Sequence, residues 1–424
     1  MGWRHGTGSA SRGRSPAVGD AFVTTYLLFG LFAATLLGIA KFHKFALPIA
    51  VSGLVAVLLS RVTLTDFHLG HHLAHEALGI ANLGGLLLGF AVLANYFEKS
   101  HLPDKLTQIL PGGRWGAFTL LVLVAVISSV LDNIAAALIG GAAAMTLFRR
   151  NVHVGYLAAI VAASNAGGAG SVVGDTTTTM IWLAGVSPLD VCEAALGAAV
   201  ALGFFGFFAA RQQHALQPLV RGGEEGKHVD LPNLGIVLAI LAGAIGTNIA
   251  FGLPAVGVWC AILLGAAVRQ PDWKVVPGAA MGACFLLSLV LSASMMPVES
   301  LPPATPWTAF GIGIVSAFFD NIPLTALAIK QGGYDWGYLA YCVGYGGSML
   351  WFGSSAGVAI SGLFPEAKSA KNWLVNGWHV AVGYVLGFAA MLYTLGWHPH
   401  APKVEGPQAN VPGHEMPAHG QPPR

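Results

Sequence analysis

The sequence predicts an all-α polytopic membrane protein, and three observations carry that prediction. Only 9% of the 424 residues are charged while 55% are hydrophobic, against roughly 25% charged in a soluble domain. Apolar runs of about 20 residues, the length that crosses a bilayer as a helix, recur along the chain and raise its mean hydropathy to +0.66. Finally, ISSVLDNIAAAL at 127–138 aligns with VSAFFDNIPLTA at 315–326. Together these predict about ten to twelve transmembrane helices in two inverted repeats with re-entrant hairpins and broken helices.

Charge excludes several classes of function. Lys+Arg 21 against Asp+Glu 19 gives a net charge of +2, too balanced for a nucleic-acid surface or an acidic scaffold. The surface is expected to face lipid. The four cysteines, Cys192, Cys260, Cys284 and Cys342, sit inside apolar runs without disulfide or zinc spacing, and are expected to be small packing residues.

Taken in order, residues 1–20 are rich in Gly, Ser and Arg (Arg4, Arg12, Arg14) and read as a disordered tail. The run 21–40 is too long for a signal-peptide core and shows no clear cleavage site, so it reads as a first span. Further apolar runs cover 45–60, 77–96, 116–148, 154–186 and 191–210, closing a first membrane half at 21–210. Residues 211–232, with Arg211, Arg221, Glu224, Glu225, Lys227 and Asp230, form a polar linker. The runs 233–251, 254–268, 277–297, 309–329, 336–364 and 373–396 make a second half at 233–396. The tail 397–424, dense in Pro and His, cannot bury enough apolar surface to fold. Lys and Arg fall on nearly every loop, so the positive-inside rule leaves orientation open.

The repeat extends past the Asp-Asn pairs. Glycine-rich interruptions follow in both halves, NAGGAGSVVGDTTTT at 165–179 and GYGGSMLWFGSSAGV at 344–358, with Gly167-Gly168 matching Gly346-Gly347 and Gly174 matching Gly353. Five predicted crossings separate the two Asp-Asn pairs, and an odd number inverts the second copy. Broken helices in inverted repeats meet near the bilayer midplane and build a transport site there. Non-helical backbone at that depth is tolerated only where it lines a cavity or is buried in protein. Pro323 is expected to force the second break.

Asp132, Asp175 and Asp320 are the acidic residues deepest in apolar segments. Each costs about 2.5–3.5 kcal/mol at mid-membrane on insertion scales. No Lys or Arg lies beside them in sequence, which makes a transported cation or proton the natural partner. The plainer reading is a hydrogen-bonded helix cap.

At these residues the sequence resembles the NhaD-type sodium/proton antiporters of the ion transporter superfamily. SNAGGAGSVVGDTTTTMIW at 164–182, DNIPLTA at 320–326 and GYGGSMLWFGSSAGVAISG at 344–362 carry the resemblance, which spans about 61–396. It implies exchange of Na⁺ or Li⁺ for H⁺ without a cofactor, and a cation- and proton-binding set of Asp132, Asn133, Asn165, Asp175, Thr177, Thr178, Asp320 and Asn321. Ser354 and Ser355 are weaker members. Asp132, Asp175 and Asp320 would ligate the transported Na⁺ rather than a structural metal. Where relatives carry hydroxyl residues after the first Asp-Asn, this chain has Ala135 and Ala136, so fewer oxygens are on offer. The expected location is a bacterial plasma membrane. Partners are expected to be small ions and lipid, with no nucleic acid and with a homodimer left open.

The residues support such a mechanism without the resemblance. A hard cation needs several oxygens, which Asp, Asn, Thr and unwound carbonyls supply, and a proton competes for the same carboxylate. The alternative is an anion carrier for a di- or tricarboxylate or an oxyanion, since helix N-termini attract anions. An intramembrane aspartyl protease is the enzyme alternative; it finds VVGD in place of a G-x-G-D arrangement, and no enzyme is expected. FHLGHHLAHE places His68, His71, His72 and His75 on one helical face, either as a pH sensor or metal site or, more simply, as an amphipathic interfacial segment. Trp115, Trp336, Tyr338, Trp373 and Trp397 are expected to form an interfacial belt.

Overall fold

The computed structural model describes residues 18–42, 45–65, 67–102, 105, 110–220 and 228–399. Most of the predicted tails, and 221–227 of the linker, lie outside the described residues. Those described contain helices and no strand, as an all-α membrane protein requires.

The element order repeats. Three helices come first, α1 (Val18–Lys41), α2 (Ala46–Leu64) and α3 (Leu69–Lys99). A hairpin follows, α4 (Arg114–Ser128) and α5 (Asn133–Leu147), then a broken helix, α6 (Val154–Ala169) and α7 (Thr176–Leu183). Short α8 (Pro188–Cys192) leads into long α9 (Ala194–Leu216). The second half runs through α10 (Leu231–Phe251), α11 (Pro254–Val268) and α12 (Val275–Ser294), then the hairpin α13 (Pro306–Ser316) and α14 (Asn321–Gln331). It ends with the broken helix α15 (Trp336–Gly346) and α16 (Ser355–Leu363), short α17 (Ala370–Asn376) and α18 (Trp378–Thr394).

Among the described residues five helices or joined helices are long and apolar enough to cross a bilayer alone, and α17 with α18, bent by 61°, make a sixth. Apart from α1 and α11, each a single helix, the remaining apolar segments divide. A 15-residue arm such as α4 or α5 rises only about 22 Å, short of a hydrocarbon core of about 30 Å. The runs 116–148, 154–186, 309–329 and 336–364 are therefore each two short helices meeting at a break.

Local chemistry sets the boundaries. Pro188, Pro254 and Pro306 each open a helix, where the missing N–H would have no partner anyway. Thr305 and Thr308 close a capping box on α13. Pro323 falls in the first turn of α14, so it begins a helix and Asp320 sets the break. Gly252 ends α10 in the left-handed region at φ 67°.

Packing crosses between the halves. The first hairpin arms pack within their own halves, α4 on α6 and α13 on α15, whereas the second arms also reach across, α5 packing on α16 as well as on α6 and α14 on α7 as well as on α12. The broken helices touch through α6 and α15, and α9 lies along α18. Around this core α2, α3 and α12 pack together, α11 lies on α3, and α12 reaches α14. Two glycine contacts fix the core. A Cβ on Gly167 would lie 2.0 Å from the Ala125 carbonyl oxygen, and one on Gly346 would lie 2.2 Å from that of Gly313. These are the same crossing in each copy, α6 on α4 and α15 on α13.

Several expectations are corrected. The linker is shorter than 211–232, because α9 continues to Leu216 and α10 starts at Leu231. Its first polar residues are helical and bonded: Gln213 Oε1 accepts from the His153 N–H and its Nε2 donates to the Asn151 carbonyl. Only Cys342 is buried; Cys192, Cys260 and Cys284 are exposed, where a membrane helix can present a thiol to lipid. Trp336, Tyr338 and Trp373 are buried rather than interfacial. Tyr338, Tyr341 and Tyr345 line α15, with Tyr341 and Tyr345 stacked beside Tyr384 and their hydroxyls bonded to α18 carbonyls. Two residues expected in the tail are held: Trp397 packs on Tyr338 and the His398 N–H donates to Asp335.

His68 caps α3 rather than lying within it. His72 bonds Ser294 Oγ at 3.0 Å and His75 lies beside Glu76. The ring nitrogens are thus dispersed onto different partners. Among the described residues no group of three or more His, Cys, Asp or Glu gathers to hold a metal.

Candidate functional site

The two breaks are built alike. Asp132 caps α5 and Asp320 caps α14 with nearly the same backbone angles, φ −52° and ψ 141° against φ −53° and ψ 139°. Asp132 accepts the Ile134 N–H at 3.3 Å, and Asp320 accepts the Ile322 N–H at 3.1 Å. Just before each cap a serine bonds the neighbouring broken helix: Ser128 Oγ donates to the Ser164 carbonyl and Ser316 Oγ to the Val343 carbonyl. Asp175 then caps α7 through the Thr177 N–H, as Ser354 caps α16 through the Gly357 N–H. Asp175 and Ser354 hold the same place in the two copies, so the repeat swaps a carboxylate for a hydroxyl there.

The plainer expectation, that these aspartates cap helices, is correct as far as it goes. A carboxylate at a helix N-terminus is favourable, and capping leaves oxygen sites free for other partners. Among the described residues no Lys or Arg forms an ion pair with any of the three.

Two networks stitch the copies together. Asn165, fully buried, donates from Nδ2 to Ser348 Oγ at 2.9 Å and Ser354 Oγ at 3.2 Å. Its Oδ1 accepts from Asn133 Nδ2 at 3.0 Å. One side chain of the first broken helix thus holds the first hairpin and the second break. The reciprocal link runs through Asp175, whose Oδ2 accepts from Thr177 Oγ1 at 2.9 Å and from Asn321 Nδ2 at 3.3 Å. Asp175 is 3% exposed and lies within electrostatic range of both Asp132 and Asp320.

Asp320 faces a cavity. Its Oδ2 accepts from Ser355 Oγ at 3.2 Å, and both residues line a cavity of about 180 Å³. Phe285 of α12, Phe319, Phe352 and Leu36 of α1 form its walls.

The structure thus brings Asn133, Asn165 and Ser354 into one network, Asp175, Thr177 and Asn321 into a second, and Asp320 with Ser355 into a third. Asp132 is bonded to its own helix. The three carboxylates do not close on a single metal position. Thr178 is occupied otherwise, its hydroxyl within bonding distance of the Ser171 and Asp175 carbonyls, and Thr179 does the same at Val172 and Asp175. These hydroxyls fold the break. Ala136 is fully buried in α5, the arm that packs on α16.

Sequence reasoning missed Ser348, saw Ser128 and Ser316 only as the matched serines four residues before each Asp, and misplaced Trp373, whose Nε1 donates to the Ser348 carbonyl. Ser348 directly follows the matched Gly346-Gly347, a position that could have singled it out.

A family described as "Citrate transporter" (CitMHS) matches residues 23–344. The chain belongs to the citrate transporter family. Within that similarity, "Sodium/proton antiporter 1" of Arabidopsis thaliana is 30% identical over 64% of this chain and 54% of its own length. "Sodium/proton antiporter 2" of the same plant is 28% identical over 55% of this chain and 66% of its own. "Na(+)/H(+) antiporter NhaD" of Vibrio parahaemolyticus is 27% identical over 68% of this chain and 84% of its own. The chain therefore spans about half to two thirds of the plant antiporters it matches. Membership of the citrate transporter family, with the apolar helices, makes it an integral membrane transporter and removes the protease reading. The resemblance to NhaD-type antiporters agrees with the names of these relatives.

Proposed function

We propose that the protein is a secondary active antiporter exchanging Na⁺ or Li⁺ for H⁺ across a bacterial plasma membrane. One observation carries this reading. Three carboxylates cap helices at breaks inside the membrane halves, and no basic side chain among the described residues neutralises them. A monovalent cation, or a proton, fills that role. Asp320 with Ser355 and Ser354 offers oxygens on the cavity side. Asp132 with Asn133 and Asn165 offers them at the first break, and Asp175 with Thr177 and Asn321 joins the two. Burial disfavours an uncompensated carboxylate, so cation and proton exclude one another on the same group and their fluxes are coupled.

In this reading the halves 21–210 and 233–396 are inverted copies, and rocking of the core against the outer helices exposes the site alternately to each side. Mutual packing of the two breaks supports it.

A second reading, carriage of a carboxylate anion, is favoured by the citrate transporter family's name and by four helix N-termini at the breaks. Proteoliposomes carrying the purified protein and an internal pH dye discriminate. The antiporter reading expects Na⁺ or Li⁺ to drive proton movement, and expects Asp132→Asn and Asp320→Asn each to abolish it while the protein remains inserted. Citrate or succinate uptake without a cation-driven pH change would overturn it.

A further inference from the structure

We infer that the cavity beside Asp320 binds a small hydrophobic organic cation, a primary ammonium or guanidinium carried on a single ring. The inference deepens the proposed function, because it places a second kind of ligand on the carboxylate assigned there to the transported ion.

Two chemistries meet in this cavity. At one end stand Asp320 and Ser355, with the carboxylate bonded to a hydroxyl and a backbone N–H. The walls carry the phenyl rings of Phe285, Phe318, Phe319 and Phe352, and none of its lining residues is basic. A carboxylate selects a cation, while phenyl faces attract a cation and bury the apolar body attached to it. An alkali ion could use the carboxylate and hydroxyl but gains few oxygens from such walls. The volume of about 180 Å³ is below the roughly 300–1,000 Å³ of drug-sized sites, which limits the ligand to about one ring. Neither Asp132 nor Asp175 lines this space, whose walls are completed by α1 and α12.

The test is calorimetric titration of benzylammonium into the purified full-length protein in detergent, with benzyl alcohol as the neutral ligand of the same shape. Saturable binding of benzylammonium, and none of benzyl alcohol, is expected. Asp320→Asn, which retains a capping side chain, should weaken binding at least about tenfold, and Phe285→Leu about three- to tenfold. Equal binding of benzyl alcohol, full binding by Asp320→Asn, or no saturable binding by monodisperse wild-type protein would each overturn the inference. Added Na⁺ separates this result from the transport reading. Competition with benzylammonium places Na⁺ at the same carboxylate. Binding that depends on Asp320 but is indifferent to Na⁺ would remove Asp320 as the cation-loading group and leave the organic-cation site standing.

Discussion

Asn321 donates to Asp175 at 3.3 Å, joining the hairpin of one half to the helix break of the other. The carboxylate that receives this bond is 3% exposed, while Asp320, one residue before the donor, faces a cavity. In the proposed mechanism, the group that loads the ion is therefore one residue from a side chain that bonds the buried carboxyl.

Asp175→Asn retains a side chain that can cap α7 and removes the titrating group. Cation-driven proton movement should be lost, with the thermal midpoint in detergent changed little. Asn321→Ala leaves the buried Asp175 short of a donor, a loss of about 1–3 kcal/mol, and should lower that midpoint as well as transport. Wild-type flux in both variants would show that the link plays no part.

Asn165 serves three partners at once. Replacing it by Ala strands Asn133 Nδ2 and Ser348 Oγ in a buried setting, each costing about 1–3 kcal/mol if unmet, while Ser354 keeps the Gly357 N–H. Asn165→Ala should be the least stable of the polar site variants, measured by thermal denaturation followed by size-exclusion chromatography. Thr178→Ala should also act on stability more than on apparent ion affinity, because its hydroxyl bonds backbone carbonyls of the break.

Gly167→Ala and Gly346→Ala put a methyl about where the Ala125 and Gly313 carbonyls already stand, and backbone cannot yield there as a flexible side chain can. Both should fail to give monodisperse protein. Gly203→Ala is the control: nothing lies within 4 Å of the added Cβ, and expression should match wild type.

His153, in the loop ahead of α6, accepts the Gly155 N–H on Nδ1 at 3.1 Å, and burial holds its pKa below the ordinary 6.5. The unfolded chain thus binds more protons in the window just below 6.5. Stability from this group is present above 6.5 and is lost as pH falls through the window towards the folded value. The thermal midpoint should drop between about pH 7 and pH 5, and His153→Asn, a capping residue that does not titrate, should flatten that drop.

Much of this arrangement was legible in the chain. The Asp-Asn pairs and matched glycines located both breaks, because an acidic residue within an apolar run and a glycine at a helix crossing each answer a strong steric or electrostatic demand. Asp175 was readable for the same reason, and Asn165 only through the resemblance. Partner choice was not. Nothing local to Asn321 shows that its amide reaches Asp175 in the other half, or that Ser348 accepts from Asn165, since those pairings depend on how α5, α7, α14 and α16 are exchanged. The aromatic residues misled for a related reason: Trp336, Tyr338 and Trp373 lie near the ends of apolar runs, as belt residues do, but α18 and the second break cover them and give Trp373 an acceptor.

The exchange of second hairpin arms bears on how such a chain is assembled. Synthesised first, the N-terminal portion has α7 without α14 and α5 without α16, so its two most polar turns have no cover until the remainder has been inserted. Completion is thus a late, cooperative event, and two separately encoded fragments divided within 217–230 should recombine into a working whole, although either fragment alone would be a client for membrane quality control.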